Sequence, residues 1–169
     1  MKVGEWSIKT RFVVVLVVAV LGLAALGLNS LYELRKGMLE DRKDKIHALV
    51  EVATGVVARF HELAKSGALS EDEAKRQALE TVRQMRYANG EYFFVLDSQH
   101  QFVMHAAKAA LEGKSGADLR DPNGKLFIQE LVSVAQASEQ GGIVDYSFAK
   151  AGSDKAVPKL SYSAHFKPW

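Results

Sequence analysis

The strongest pattern in this chain is an uninterrupted apolar run near its start. Between Phe12 and Leu28 almost every residue is Val, Leu, Ala or Gly, and no formal charge occurs as far as Tyr32. A helix rises about 1.5 Å per residue and needs roughly 20 such residues to cross the hydrocarbon layer of a membrane. The run therefore predicts a transmembrane helix over residues 12–32, preceded by a cytoplasmic N-terminus of residues 1–11.

The flanks of this helix mark its orientation only weakly. A short positive segment precedes it, and aromatic rings suited to the headgroup zone flank it: Lys2, Lys9, Arg11, Trp6 and Tyr32. Five basic residues also follow within residues 35–45, so the expected orientation rests on the tendency of a long following domain to be translocated. The small residues of Ala25-Leu26-Gly27 leave a cleaved signal peptide as the alternative.

After the membrane segment, apolar residues recur at spacings of three and four, which is typical of one long helix with a single apolar face. They are Leu31, Leu34, Met38, Ile46, Leu49, Ala53, Val56, Phe60 and Leu63. The pattern predicts a stalk of about thirty residues that merges into an extracytoplasmic domain over residues 33–169. An apolar stripe next to the membrane also favours a homodimer.

The rest of the chain alternates between helical and strand periods. Ser66-Gly67 ends the stalk helix, and a capping pattern from Ser70 to Glu73 opens a second helix. Strand patterns follow at Glu91–Asp97, Gln101–His105, Ile143–Phe148 and Lys159–Phe166, with a loop over Leu111–Gly124 and a helix over Lys125–Ala135. We therefore predict an α+β fold in which helices cover one face of an antiparallel sheet. Because Pro168-Trp169 directly follows a strand, we expect a domain that is incomplete at its C-terminus.

Composition excludes several classes of function. The net charge is +2 with basic and acidic residues interspersed, so nucleic acid is not an expected partner. The chain has no cysteine, and its five histidines show no i, i+4 pairing, so neither a metal site nor a cofactor is predicted. Gly113-Lys114-Ser115 lacks the earlier glycine of a phosphate-binding loop, since Lys108 stands there. No catalytic constellation is visible, and an enzyme is not predicted.

Several short motifs together resemble the single Cache sensor domains of bacterial receptors. They begin with Arg86-Tyr87, Glu91-Tyr92-Phe93-Phe94-Val95 and Met104-His105, and continue with Leu111-Glu112-Gly113-Lys114, Asp121-Pro122-Asn123-Gly124-Lys125 and Val157-Pro158-Lys159-Leu160-Ser161-Tyr162. The leader and stalk resemble the start of a methyl-accepting chemotaxis protein. The resemblance implies a PAS-like antiparallel sheet on a long helix, holding a small organic ligand, commonly a short-chain carboxylate.

The function implied by this resemblance is that of a chemotaxis receptor in the bacterial inner membrane, with its sensor in the periplasm. The family continues with another strand, a second membrane helix and a cytoplasmic signalling region, through which cytoplasmic partners would be reached. Histidine kinases and diguanylate cyclases carry similar sensors and remain alternatives. A tethered or secreted binding protein without signalling output is a further alternative.

Seven residues are candidates for binding the ligand: Arg86, Tyr92, Phe94, Met104, His105, Lys159 and Tyr162. A carboxylate held away from water needs a cation or several donors, which Arg86, Lys159 and His105 offer. The tyrosines combine a hydroxyl group with an apolar body. Each residue also has a structural interpretation; Arg86, for example, follows a helix and could interact with its dipole. Strand alternation puts Tyr92 and Phe94 on one face of the sheet, and it does not say which face lines the pocket.

Overall fold

The computed structural model describes residues 7–149 and 155–169. The predicted flanking residues Lys2 and Trp6, most of the predicted N-terminal segment 1–11, and the turn region Gly152-Ser153-Asp154 lie outside these residues. The chain divides into two compact units, residues 1–42 and residues 43–169. The first helix, α1, spans Ile8–Lys65 and contributes to both.

In the first unit, the described residues belong to α1 and their side chains are exposed. Phe12, Leu23 and Leu28 are each about 70% exposed. Within the described part of the chain, α1 is the one helix whose length and composition would allow it to cross a membrane. An apolar surface of this size is unfavourable in water and compatible with lipid.

In the second unit, two local signals end one helix and begin the next. Gly67 has a φ of +77°, and the N–H of Ala68 donates to the carbonyl of Leu63, which closes the end of α1. The second helix, α2, spans Glu71–Gln84, and Ser70 accepts a hydrogen bond from the N–H of Glu73 at 3.3 Å. Both predicted helix boundaries are confirmed.

Within the described residues, six strands form three antiparallel pairs. Strands β1 (Arg86–Tyr87) and β2 (Glu91–Tyr92) form a small hairpin, and β3 (Phe94–Leu96) pairs with β4 (Phe102–His105). A 3₁₀ turn at Ala109–Leu111 and the helix α3 (Phe127–Ala137) precede β5 (Gly142–Ala149), which pairs with β6 (Ala156–Ser163). The strand predicted over Glu91–Asp97 is therefore interrupted at Phe93, and β1 was not predicted.

The last strand begins and ends three residues earlier than predicted, and it includes Pro158. In the ladder Pro158 lies opposite Ser147, whose N–H donates to Asp121 instead of crossing to Pro158. This pair is thus not a hydrogen-bonded one, and the missing N–H of proline removes no bond from the β5–β6 ladder.

The β3–β4 pair separates two hydrophobic clusters. The inner cluster packs Phe94 and Phe102 against α3 and β5, and the outer cluster packs Phe93 and Met104 against α1 and α2. The prediction that helices cover one face is therefore wrong: α3 lies on the face opposite to α1 and α2. The predicted alternation of Phe93 and Phe94 is confirmed.

Strands β3 and β6 line a common groove of about 510 Å³. Among the described residues, β3 pairs only with β4, and β6 pairs only with β5. Leu160 and Val95 contribute to the wall of the groove, and Val50 and Ala53 of α1 complete it. Strand β6 and α1 therefore line the same groove, and α1 is the helix that also contains the apolar run.

Candidate functional site

The inner face of the β3–β4 pair carries a cluster of aromatic and titratable side chains. The His105 ring lies 5.1 Å from the Tyr92 ring and 5.7 Å from the Phe94 ring, measured between centroids, and is nearly parallel to the latter. The Lys159 ammonium nitrogen lies 5.6 Å from the centre of the Tyr92 ring. The fold thus brings four of the seven predicted site residues together, from β2, β3, β4 and β6.

His105 is buried and neutral in this cluster. Its Nδ1 accepts hydrogen bonds from the N–H groups of Lys108 at 3.0 Å and Ala107 at 3.4 Å, which leaves the proton on Nε2. Burial lowers the pKa of His105, and the positive charge of Lys108 lowers it further. At neutral pH His105 therefore offers one N–H donor within an aromatic surrounding.

A partly buried ion pair fixes the loop that follows His105. The Glu112 carboxylate accepts the backbone N–H of His105 at 2.9 Å and pairs with the Arg83 guanidinium of α2, where Nη2 lies 3.0 Å from Oε2. The Arg83 hydrogen bond lowers the pKa of Glu112 to about 2. Sequence reasoning did not single out Arg83, and Glu112 entered it only through the motif Leu111-Glu112-Gly113-Lys114.

Strand β6 positions Lys159 toward this cluster. Its side chain is 14% exposed, and its Nζ lies 2.9 Å from Oε2 of Glu91 on β2. Glu91 stood next to Tyr92 in a quoted motif, but the sequence offered no reason to pair it with Lys159. The two residues are 68 positions apart.

Strand β5 adds two aromatic rings, and the loop after β4 brings a second cation against one of them. The Tyr146 ring stacks on Phe127 at 4.3 Å, and its hydroxyl group lies 2.9 Å from the Ser161 hydroxyl. Burial raises the pKa of Tyr146 to about 12, so the hydroxyl stays protonated at neutral pH. The Lys108 nitrogen lies 5.0 Å from the centre of the Phe148 ring. None of these residues was predicted to be part of a ligand site, because their contribution depends on how β5 packs.

The other three predicted residues lie elsewhere. Met104 is fully buried in the outer cluster, and the Tyr162 ring lies 4.5 Å from the His47 ring of α1. The Arg86 guanidinium donates to the carbonyl oxygens of Arg83, Met85 and Ala106. Its contacts therefore match the structural interpretation, in which it satisfies carbonyl groups near the end of α2.

The inner face is suited to a small anion rather than to a metal ion. Over residues 7–149 and 155–169, no group of three or more His, Asp or Glu side chains is placed to hold a metal. Lys159 supplies a positive charge over the Tyr92 ring, and the His105 ring lies against the rings of Tyr92 and Phe94. An anion bound by the Lys159 ammonium group would accept a charge-assisted hydrogen bond, which is stronger than a hydrogen bond between neutral groups.

Comparisons with known proteins agree with this architecture. A family model described as Single Cache domain 2 matches residues 38–169. The methyl-accepting chemotaxis protein McpP of Pseudomonas putida is 36% identical over 163 residues, covering 96% of this chain and 30% of that protein. The sensor histidine kinase MctS of Rhizobium johnstonii is 27% identical over 146 residues, covering 86% and 31%. The chain therefore spans about three tenths of the length of these curated relatives.

Two solved structures share the fold. One, described as the periplasmic sensor domain of a chemotaxis protein, has 44% sequence identity and a TM-score of 0.75, with 78% of this chain and 91% of the other covered. Another comes from work on carboxylic acid recognition by a Cache chemosensory domain; it has 28% identity and a TM-score of 0.75, with 79% and 90% covered.

Proposed function

The chain belongs to the single Cache domain 2 family, and from that premise we propose that it senses a short-chain carboxylate for a membrane-bound chemotaxis receptor. The ligand would lie on the inner face of the sheet, between Lys159, His105 and Tyr92. In this proposal the ligand is bound reversibly, and no bond is made or broken.

The position of the Lys159 ammonium group carries the proposal. Lys159 supplies the cation among the four predicted site residues that come together, and its nitrogen lies over the Tyr92 ring, which in turn contacts the buried His105. A carboxylate bound there would meet one positive charge and neutral donors, which matches the demand of a partly buried anion. The carboxylic acid recognised by a Cache domain of the same fold supports this ligand class.

We further propose that residues 12–32 anchor the chain in the bacterial inner membrane and that the Cache domain faces the periplasm. The exposed apolar surface of α1 supports anchorage. The periplasmic location of a sensor domain with 44% identity supports the orientation, which the flanking basic residues leave open. We also expect a homodimer, because the stalk has an apolar stripe that a second stalk would bury.

Strand β6 offers a route from the ligand to α1. Lys159 extends toward the inner cluster, whereas Tyr162 of the same strand contacts His47 of α1. A ligand changes the output only if it binds one conformation better than another, and such couplings are typically about 1–3 kcal/mol. We propose that carboxylate binding shifts β6 and thereby α1.

The ligand class can be tested by calorimetry on the full chain in lipid nanodiscs. Acetate, propionate, pyruvate, lactate and malate would each be titrated, and we expect at least one to bind. A protein with native circular dichroism that binds none of the five would contradict the proposal.

A sensor histidine kinase is the second candidate, favoured by the similarity to MctS over 86% of this chain. The two candidates share the sensor and differ in the output module. Sequencing the reading frame beyond Trp169 would distinguish them: a methyl-accepting signalling region supports the receptor, and a kinase module supports the alternative.

A further inference from the structure

The Glu91 carboxylate pairs with Lys159, which is the cation that the proposed ligand would need. We propose that the Glu91 carboxylate is a built-in competitor: it pairs with Lys159, and the carboxylate of the ligand displaces it on binding. This inference rests on the proposed function, and it assigns to Glu91 the role of setting the affinity and the charge requirement of the site.

The Lys159–Glu91 pair differs from the surface ion pairs of the same domain. The side chain of Lys159 is 14% exposed and that of Glu91 is 32% exposed, whereas Lys167 and Glu139 are 64% and 88% exposed. An ammonium group withdrawn from water needs a counter-ion, because an unpaired buried charge is strongly unfavourable. Glu91 meets that need, with Oε2 lying 2.9 Å from Nζ of Lys159. A ligand carboxylate can meet the same need.

The two partners differ in how firmly the backbone holds them. Lys159 lies within a ladder of eight residue pairs between β5 and β6. Glu91 lies in a hairpin of two residue pairs, closed by a turn in which Ala88 and Gly90 have positive φ values. A short hairpin with few ladder hydrogen bonds opens at low cost. Displacement would therefore move Glu91, while Lys159 stays in place.

Movement of Glu91 would also reach α1. Phe93 lies two residues after Glu91 and packs in the outer cluster with Ala53 of α1 and Met104. Release of the Glu91 carboxylate loosens the hairpin immediately before Phe93. The exchange of carboxylates at Lys159 would thus alter a contact of the stalk helix in addition to the route through Tyr162.

The competition has a direct consequence for selectivity. Only a ligand that brings its own negative charge can replace Glu91 without leaving Lys159 unpaired. A neutral amide of the same shape would either leave the Lys159–Glu91 pair in place or break it without replacing its charge. Amides are therefore expected to be rejected, and removal of the Glu91 charge is expected to favour carboxylates.

The test compares the full chain with its Glu91→Gln variant by calorimetry in lipid nanodiscs. Acetate, propionate, pyruvate and lactate are the probes, and propionamide and lactamide are their neutral counterparts. We expect the variant to bind those acids about three- to tenfold more tightly, which corresponds to removing a partly exposed ion pair. Glu139→Gln, which removes the exposed pair with Lys167, is the matched control and should leave the affinity unchanged.

The outcomes separate this inference from the proposed function. If neither the native chain nor Glu91→Gln binds any acid, the proposed function itself fails. If the native chain binds an acid and the variant binds it equally or more weakly, the competitor role is overturned while the carboxylate site stands. Should Glu91→Gln fail to fold, Glu91→Asp keeps the charge and lengthens the pair; tighter binding supports the competitor role, and unchanged or weaker binding overturns it.

Discussion

The two faces of the β3–β4 pair differ in chemistry, and a register shift between Val95 and Leu96 places Phe102 and Met104, two residues apart, on opposite faces. The outer face places Phe93 and Met104 against α1 and α2, among apolar neighbours. The inner face places His105 beside aromatic rings, with Lys159 reaching in from β6. A densely packed apolar face transmits displacement, whereas a face with unevenly packed polar groups can accept a ligand. If the proposed function holds, the sheet separates stability and signalling contacts from ligand recognition.

The largest effect should come from the outer face. Met104→Ala removes a fully buried side chain between α2 and β3, and we expect the free energy of unfolding to fall by about 2–5 kcal/mol. Chemical denaturation followed by circular dichroism measures this loss. Val103→Ala is the matched control, because Val103 is 41% exposed and should cost well under half as much. Equal losses would show that the outer face is not the packed one.

The difference between local and long-range contacts explains which structural elements the sequence predicted. The ends of α1 and α2 depend on neighbouring residues, a glycine at 67 and the cap at Ser70, so they were visible locally. Phe93, where the strand breaks, packs in one cluster with Ala53 of α1, which lies 40 residues earlier in the chain. Local pattern carries no information on such a contact, and the interruption was missed.

The next effect concerns recognition on the inner face. Lys159→Met keeps most of the apolar stem and removes the charge, so we expect carboxylate affinity to fall about 10- to 100-fold, as for loss of a hydrogen bond to a charged group. Calorimetry with the acid that binds most tightly measures the change. Lys167→Met, at an exposed ion pair, is the control. An unchanged carboxylate affinity of the Lys159 variant would show that the ligand does not bind at the inner face.

The candidate site on the inner face was predicted only in part for a similar reason. Family resemblance pointed to Tyr92, His105 and Lys159, and the fold brings them together. Glu91 and Glu112 were not recognised, because each is defined by a partner distant in the chain: Lys159 lies 68 residues away and Arg83 lies 29. An ion pair between residues far apart in the chain leaves no periodic pattern in the sequence, whereas a capped helix does.

A smaller effect is expected at the loop that supports the inner face. The pKa of Glu112 is about 2 in the folded domain, below its ordinary value of 4.5, so the ionised pair with Arg83 stabilises the domain above the unfolded pKa. That stabilisation is lost as the pH falls from about 4.5 toward 2. Glu112→Gln should therefore unfold more readily at pH 7 and depend less on pH in this window.

Denaturation curves at several pH values between 7 and 3 measure the difference between Glu112→Gln and the native chain. Glu139→Gln is the control, since its exposed pair with Lys167 is weakened by solvent and should change the slope less. Parallel pH profiles for the native chain and Glu112→Gln would show that the Arg83–Glu112 pair does not stabilise the loop.

The smallest effect is expected at Tyr162, a predicted site residue that contacts α1 instead of the inner cluster. Its ring lies 4.5 Å from His47, and aromatic pairs contribute about 0.5–1.5 kcal/mol beyond their burial. Tyr162→Leu should lower the free energy of unfolding by that amount and leave carboxylate affinity within about threefold, since Lys159 and His105 are unchanged. A double-mutant cycle with His47→Leu isolates the contact. If Tyr162→Leu abolishes binding while the domain stays folded, Tyr162 belongs to the ligand site, and the outer face recognises the ligand as well as transmitting its effect.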